Sequence, residues 1–397
     1  MEVKPGYKLT ETGVIPKEWN SLKLGNFISL QRGHDLTWRD RQDGNVPVMG
    51  SAGQNGLHNV ALVKGPGVVL GRSGASFGQA HYCEMDFWPH NTALYVTDFR
   101  GNDPLFVFYF LTAFDFTRHN SGGAQQSLNR NFIAPIPVGV PGPLEQRAIA
   151  EALSDVDGLL RGLDRLIAKK HDFKQAAMQQ LLTGQTRLPG FYGEWNFETL
   201  GDVCQKIQDG THFSPKLGGN DYFYVTSKNI GVGQFDLSTA ERIDASQHAK
   251  IYARCDVKKG DLLLTKDGAN TGNAALNHLD EPFSLLSSVA LLRFDSRRHV
   301  AAFFLYQILS ASGQRQIRDL MSGNAITRLT LMKIRLLRFA VPSLEEQTAI
   351  AAFLSDMDAE IVALEQRREK TRDLKQAMMQ ELLTGKTRLV AAGGAHA

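Results

Sequence analysis

Cysteine is scarce. The 397 residues include only Cys83, Cys204 and Cys255, far apart and without a CxxC pair. An odd, dispersed set suits a reducing compartment and excludes a disulfide scaffold or a cysteine-rich zinc site. No apolar run approaches the ~20 residues that span a bilayer, and Met1-Glu2-Val3-Lys4-Pro5-Gly6 lacks the apolar segment of a signal peptide. A soluble, cytoplasmic protein is expected. Charge of one sign is lacking too: 44 Lys and Arg face 41 Asp and Glu, a formal +3. That balance is too mild to argue for nucleic acid by itself, and it excludes a basic-tail protein. With 43% apolar residues the chain can bury a sizeable core. At about 150 residues per domain, its length suggests two or three domains.

What is present is a repeat. Residues 140–188 recur as 341–389 at a constant offset of 201, without a gap, with 26 identities in 49 positions. Fainter echoes precede each copy. Glu18-Trp19-Asn20 matches Glu194-Trp195-Asn196, and Gly71-Arg72-Ser73-Gly74-Ala75 matches Thr265-Lys266-Asp267-Gly268-Ala269. The order is variable module, helical segment, variable module, helical segment. Two repeats are too few for a solenoid, so a pseudo-two-fold molecule is expected.

The repeated segments have the pattern of helices. Ile149, Leu153, Val156, Leu160, Leu163 and Ile167 alternate steps of four and three, as do Ile350, Leu354, Met357, Ile361 and Leu364, which is a coiled-coil seam. Later positions in that register, Lys170, Lys174, Arg368, Thr371 and Lys375, are polar. Ser343 and Glu346 read as a capping box, Pro143 as a first-turn proline, and Gly184 and Gly385 as helix-ending glycines. A second box at Ser154/Asp157 and Ser355/Asp358 predicts a possible restart inside each helix. If the second helix packs along the first it runs back, antiparallel, and brings Leu389 near Trp19 as Leu188 lies near Trp195. The 28 residues from Asp155 to Leu182 make about 42 Å of helix.

The variable modules read as mixed helix and strand. Val68–Leu70, Ala93–Val96, Tyr222–Val225, Asp261–Leu264 and Ala290–Phe294 are strand-like, and Phe106–Leu111 and Phe303–Leu309 read as short buried helices. Residues 49–56 and 121–131 read as polar loops. No catalytic constellation emerges. Gly385-Lys386-Thr387 has Gln380 where a phosphate loop needs glycine, Gly71 to Gly78 is not the GxGxxG spacing, and His81, Cys83 and Glu84 alternate as on a strand edge. An enzyme is therefore not expected.

The polar loops are equipped for a polyanion, because Arg matches guanine edges and phosphates while Asn and Gln match adenine edges. The candidates for DNA contact are Arg32, Arg39, Arg41, Arg72, Gln125, Gln126, Asn129 and Arg130 in the first module. In the second they are Lys266, Asn270, Asn324, Thr327 and Arg328, within a stretch, 315–338, that also holds Arg315, Arg318, Lys333, Arg335 and Arg338.

The doubled Glu-Gln-x-x-Ile-Ala, Leu-Ser-Asp-x-Asp and Leu-Leu-Thr-Gly-x-Thr-Arg-Leu resembles the specificity subunit of type I restriction-modification systems, and the segment Phe87-Trp88-Pro89-His90-Asn91-Thr92 after Gly71-Arg72-Ser73-Gly74 is similar to that family's recognition domains. The resemblance implies an α+β architecture of two pseudo-two-fold-related α/β target recognition domains, 1–140 and 189–340, separated by two long antiparallel coiled-coil helices, 141–188 and 341–389, with a tail at 390–397. It implies a non-catalytic reader of a bipartite double-stranded DNA site that binds no cofactor itself. Two modification subunits using S-adenosylmethionine and one restriction subunit are the implied partners, with no membrane. A type II fusion-system specificity subunit, or an enzyme with an unrecognised site in a Gly-rich loop, are the alternatives.

Overall fold

The computed structural model describes residues 3–122, 126–321 and 328–389. Contacts divide the chain into two compact units, Met1–Asp164 with Gln366–Ala397, and Arg165–Glu365. Each holds one module and one half of each long helix.

The first module is built on a four-stranded antiparallel sheet in the order Ser29–Arg32, Ala93–Asp98, Gly67–Gly71, Ala80–Cys83. Period-two alternation sends its side chains to two different cores. Val68, Leu70, Leu94 and Val96 face the helix Pro104–Ala113 and the ends of the long helices. Val69, Ala93 and Tyr95 face a second layer with Met49, Cys83 and Phe87. That layer contains a three-stranded sheet, Gly53–His58, Val46–Gly50 and Trp88–Pro89, whose last pair is parallel. Residues 49–56, expected as a loop, are thus a hairpin. Their run is polar because four consecutive positions, 54–57, are exposed, so no apolar alternation marks the strand.

The second module repeats this plan with little of the sequence. Its sheet runs Cys204–Asp209, Val289–Phe294, Leu262–Thr265, Ala274–Leu276, and its smaller sheet again ends on a parallel pair, Tyr222–Val225 with Ser284–Leu285. Leu262, Leu264 and Leu292 enter one core, and Leu263, Leu291 and Val289 the other. The five strands and two short helices expected from sequence are all present.

The two long helices, Pro143–Leu181 (central) and Leu344–Leu382 (distal), have 39 residues each. Both run unbroken through Ser154 and Ser355. The expected restart is absent because the box acids are engaged elsewhere. Asp157 takes the Tyr109 hydroxyl at 2.7 Å and Lys375 at 2.6 Å; Asp358 takes the Tyr306 hydroxyl at 2.8 Å and Lys174. Burial, and then the carboxylate each one donates to, hold both tyrosines well above the ordinary range. Gly184 and Gly385 end the helices with φ of +71° each, a left-handed conformation that glycine adopts without a Cβ penalty.

In the first unit the central helix packs against the distal helix with falling partner numbers, Glu145 with Arg388, Asp157 with Lys375, Asp164 with Arg368. In the second unit Lys170 meets Glu360, Lys174 meets Asp358, and Arg187 meets Glu346. Both pairings are antiparallel, as expected. Ile149, Leu153 and Leu163 are buried in the first unit, with Val156 and Leu160 half-buried; Ile167, Ile350, Leu354 and Ile361 are buried in the second, with Met357 and Leu364 half-buried. The apolar register thus lies largely inside each unit. Of the polar register positions, Lys170, Lys174, Arg368 and Lys375 continue it as cross-helix ion pairs, and Thr371 is buried with its hydroxyl donating to the Arg367 carbonyl of its own helix.

The repeated motif explains itself at the helix ends. Glu145, in the first turn of the central helix, is buried and accepts from Arg388 at 2.9 Å and from the Trp19 indole at 2.9 Å. Glu346 does the same with Arg187 and with the Trp195 indole at 3.3 Å. Ser343 does receive the Glu346 amide, at 3.4 Å, but the Glu346 carboxylate is held by arginine, so the capping box is half made. Gln146 accepts from the Asp103 amide at 2.9 Å and donates to Pro141 and Asn102; Gln347 accepts from the Val300 amide at 3.0 Å and donates to Pro342 and Arg298. Tyr7 donates to the Gly385 carbonyl at 3.0 Å, so the last described turn lies against the first strand of the chain.

Removing Arg388 leaves the Glu145 charge buried and unpaired, a change that costs about 3–5 kcal/mol. Arg388→Ala should lose stability on that scale in urea unfolding followed by tryptophan fluorescence, whereas Glu145→Leu/Arg388→Met together should lose far less. A single-variant loss near zero would show that the pair is solvated.

Candidate nucleic-acid interface

The candidate surface is assembled where the strands of each main sheet end. In the first module Gly33 follows the strand Ser29–Arg32 and passes so close to the next loop that a Cβ there would lie 2.1 Å from the His90 carbonyl oxygen. Gly210 follows Cys204–Asp209 in the second, and its Cβ would lie 2.0 Å from the Leu285 carbonyl oxygen. Only glycine permits that approach. It brings the residues around Arg32 beside Asn91, and those around Asp209 beside Leu286.

Around Asn91 the first module gathers Arg32 and Arg72. Their guanidiniums donate to the Asn91 carbonyl at 3.4 and 3.5 Å, and the Asn91 amide donates to Asp35. Neither arginine has an ion-pair partner among the described residues. The loop of Gln126–Arg130 is laid beside them by the Leu128 amide, which donates to the Arg72 carbonyl at 2.8 Å. Gln126 is exposed; Asn129 accepts from the Asn131 amide and caps a short turn; Arg130 is exposed and donates to the Leu30 carbonyl at 3.4 Å. Arg39 lies over the exposed Trp38 indole at 5.3 Å. Arg41 is half-buried and held on the Asn55 carbonyl of the hairpin at 2.5 Å. Gln125, Asn324 and Thr327 lie outside the described residues.

In the second module the Leu329 amide donates to the Lys266 carbonyl at 3.1 Å, the counterpart of Leu128 on Arg72. Lys266 itself corrects the expectation. It is 4% exposed, with its ammonium 3.3 Å from both Asp209 and Asp267, and so does not face outward. Arg328 is half-exposed and pairs with the other oxygen of Asp267 at 2.8 Å. Burial would raise the Asp267 carboxyl, but Arg328 and Lys266 outweigh it and hold it below its usual range. Asn270 is exposed and donates to the Ser227 carbonyl at 3.2 Å. Of the neighbouring basic stretch, Arg315 and Arg318 are exposed on the helix Ala311–Met321, and Arg338 stacks on Phe197 at 4.9 Å.

Sequence reasoning missed Asp209, Asp267 and Asp35 as members of these clusters. A carboxylate beside Lys266 was in view, but that Asp209 faces it across the sheet follows only from strand register. Among the described residues no group of three or more His, Cys, Asp and Glu could hold a metal ion, and no helix is long and apolar enough to cross a membrane.

Two homologous modules, each offering a loop cluster at the end of its own sheet, define a paired recognition protein. The chain belongs to the type I restriction modification DNA specificity domain family, which matches residues 16–168 and 192–372. It is 21% identical over 402 aligned residues to the type I restriction enzyme MjaVIII specificity subunit of Methanocaldococcus jannaschii, covering 94% of each chain. A second relative, the putative MjaX specificity subunit of the same organism, is 25% identical over 281 residues, 67% of this chain and 62% of that one. The fold is similar to the crystal structure of the type I restriction-modification S subunit from M. genitalium, with a TM-score of 0.61, 14% identity, and 96% and 98% of the two chains covered. It is also similar to a chain from a structural study of complex assembly and conformational transition in the type I system, with a TM-score of 0.58, 17% identity, and 94% and 99% covered. Its function is DNA sequence specificity.

Gly33→Ala should displace the loop carrying His90 and Asn91, with an overpacking cost of about 1–3 kcal/mol. Thermal unfolding measures it, and an unchanged midpoint would mean that the loop yields freely.

Proposed function

We propose that this chain is the non-catalytic reader of a restriction-modification complex, and that each module reads one half of a bipartite duplex site. The single observation that supports this most is that one sheet plan, with one hydrogen-bonded loop cluster at the same strand ends, occurs twice in the chain on largely different loop sequence. Modification subunits, two of them, carry the S-adenosylmethionine and transfer the methyl group; a restriction subunit cleaves; the assembly works in the cytoplasm. The unbroken 39-residue helices set the spacing between the half-sites. Arg32, Arg39, Arg72, Gln126 and Arg130 of the first module, and Asn270 and Arg328 of the second, meet the DNA.

The test is reconstitution. Rigorously purified chain should transfer no methyl group from S-adenosylmethionine to duplex DNA, and sequence-specific methylation should appear when the modification subunit is added. Turnover by the chain alone would overturn the reading. In the reconstituted complex, Gln126→Ala or Arg130→Ala should weaken binding to the cognate site by about 1–3 kcal/mol if the contact is bidentate, and leave random duplex unaffected. Four residues inserted in the central helix add about 6 Å, so methylation mapping should show a non-specific spacer longer by about one or two base pairs at 3.4 Å each.

A further inference from the structure

The sheet registers make the two modules comparable position by position. Arg32 stands opposite Leu94 and Asp209 opposite Ala290, while Gly71 stands opposite Ala93 and Thr265 opposite Val289. Arg32 and Asp209 therefore occupy equivalent sites, as do Arg72 and Lys266, and Ser73 and Asp267. The loop hydrogen bonds from Leu128 and Leu329 add Ser127 and Arg328 as a fourth pair. In the same frame Asp35 matches His212, which lies 3.3 Å from Asp209.

The charge pattern differs between these equivalent sites. In the first module both cations are guanidiniums resting on a backbone carbonyl, with no carboxylate paired to either among the described residues. In the second, Asp209 and Asp267 engage both cations, Lys266 and Arg328, at 2.8 to 3.3 Å. A cation already neutralised by a fixed carboxylate gains little by moving to a phosphate, because it exchanges one anion for another. An unpaired guanidinium displaces a counterion from the duplex, and that release makes binding fall with salt.

We infer that the two modules divide DNA recognition unequally. The loop cluster of the first supplies salt-dependent attraction to phosphate, and Asp267 keeps Arg328 of the second away from phosphate, so that the second cluster discriminates bases without adding non-specific affinity. Asp267 is thus a specificity-determining residue by restraint. This rests on the DNA-reading function proposed above and deepens it.

The experiment measures the affinity of the reconstituted complex for a random-sequence 30-base-pair duplex across a salt series, together with its thermal unfolding. Asp267→Ser installs the first module's residue. It should raise random-duplex affinity and steepen the log–log salt slope by about one, as expected for one added phosphate contact. Arg72→Ala should flatten the slope by about one, whereas Arg328→Ala in the otherwise unaltered chain removes a base contact and no phosphate contact, so it should lower cognate-site affinity without flattening the random-duplex slope. The reciprocal Ser73→Asp, at a half-buried position, should flatten it, and as a change in the other module it keeps the test intact if Asp267→Ser fails to fold. An Arg328→Ala slope that drops by about one, or a Ser73→Asp slope that does not move, overturns the inference. Failure of the wild-type complex to bind any duplex would instead overturn the DNA-reading function itself.

Discussion

A buried carboxylate at the start of each long helix, reached by an arginine from the far end of the other, is the constraint on which the architecture depends. Glu145 is answered by Arg388 and Glu346 by Arg187. The N-terminus of a helix favours an acid, but an acid taken out of water there needs a fixed partner. That partner comes from 243 positions away in the first case and 159 in the second. The first unit is consequently discontinuous in sequence and closes only when residues 366–389 have arrived. The tryptophans stack the same requirement: the indoles of Trp19 and Trp195 donate to those same carboxylates, tying the edge of each module to the helix pair.

This constraint accounts for where the two halves of the chain agree and where they differ. The identities between 140–188 and 341–389 include Glu145, Asp157, Lys174 and Arg187 with their counterparts Glu346, Asp358, Lys375 and Arg388, which pair copy to copy, so a change at one of them alters a partner in the other. The modules have no such reciprocity. Their main sheets are buried on both faces, with Gly67–Gly71 and Leu262–Thr265 buried along their whole length. What that demands is apolar side chains of suitable size, and Val-Val-Leu and Leu-Leu-Leu serve equally. Sequence variation is left to the strand ends and loops.

The repeat, the seam and the central strands were legible because each is a periodic pattern held by local geometry. The hairpin at residues 49–56 was not, because its exposure removes the alternation that marks a strand. Asp157, Asp358 and Glu346 were misread as local caps for a related reason. Their spacing from serine satisfies the capping pattern, yet tyrosine, lysine and arginine from distant segments compete for the same oxygens, and a charged partner forms the stronger hydrogen bond. Lys266 illustrates the limit most directly. Its place in the repeat beside Arg72 was readable, and its burial was not, since burial depends on Asp209 in a strand two positions across the sheet. Sequence spacing locates such a residue on a strand; strand order decides what it faces.

The ionic part of the helix pairing follows a different logic from the buried clamps. Lys170–Glu360 and Arg368–Asp164 are partly exposed, at 30% to 55% for each side chain, and pairs of that kind contribute only about 0–1 kcal/mol. They add little stability. What they do is make alternatives unfavourable: a shift of one heptad along the seam keeps apolar residues in contact but sets lysine and arginine opposite the wrong residues. A parallel arrangement would oppose Glu145 to Glu346, two buried acids without a cation. An apolar seam alone specifies that two helices pack; the charges placed in its register positions specify in which direction and at which offset. That specification is the property the repeat has to preserve.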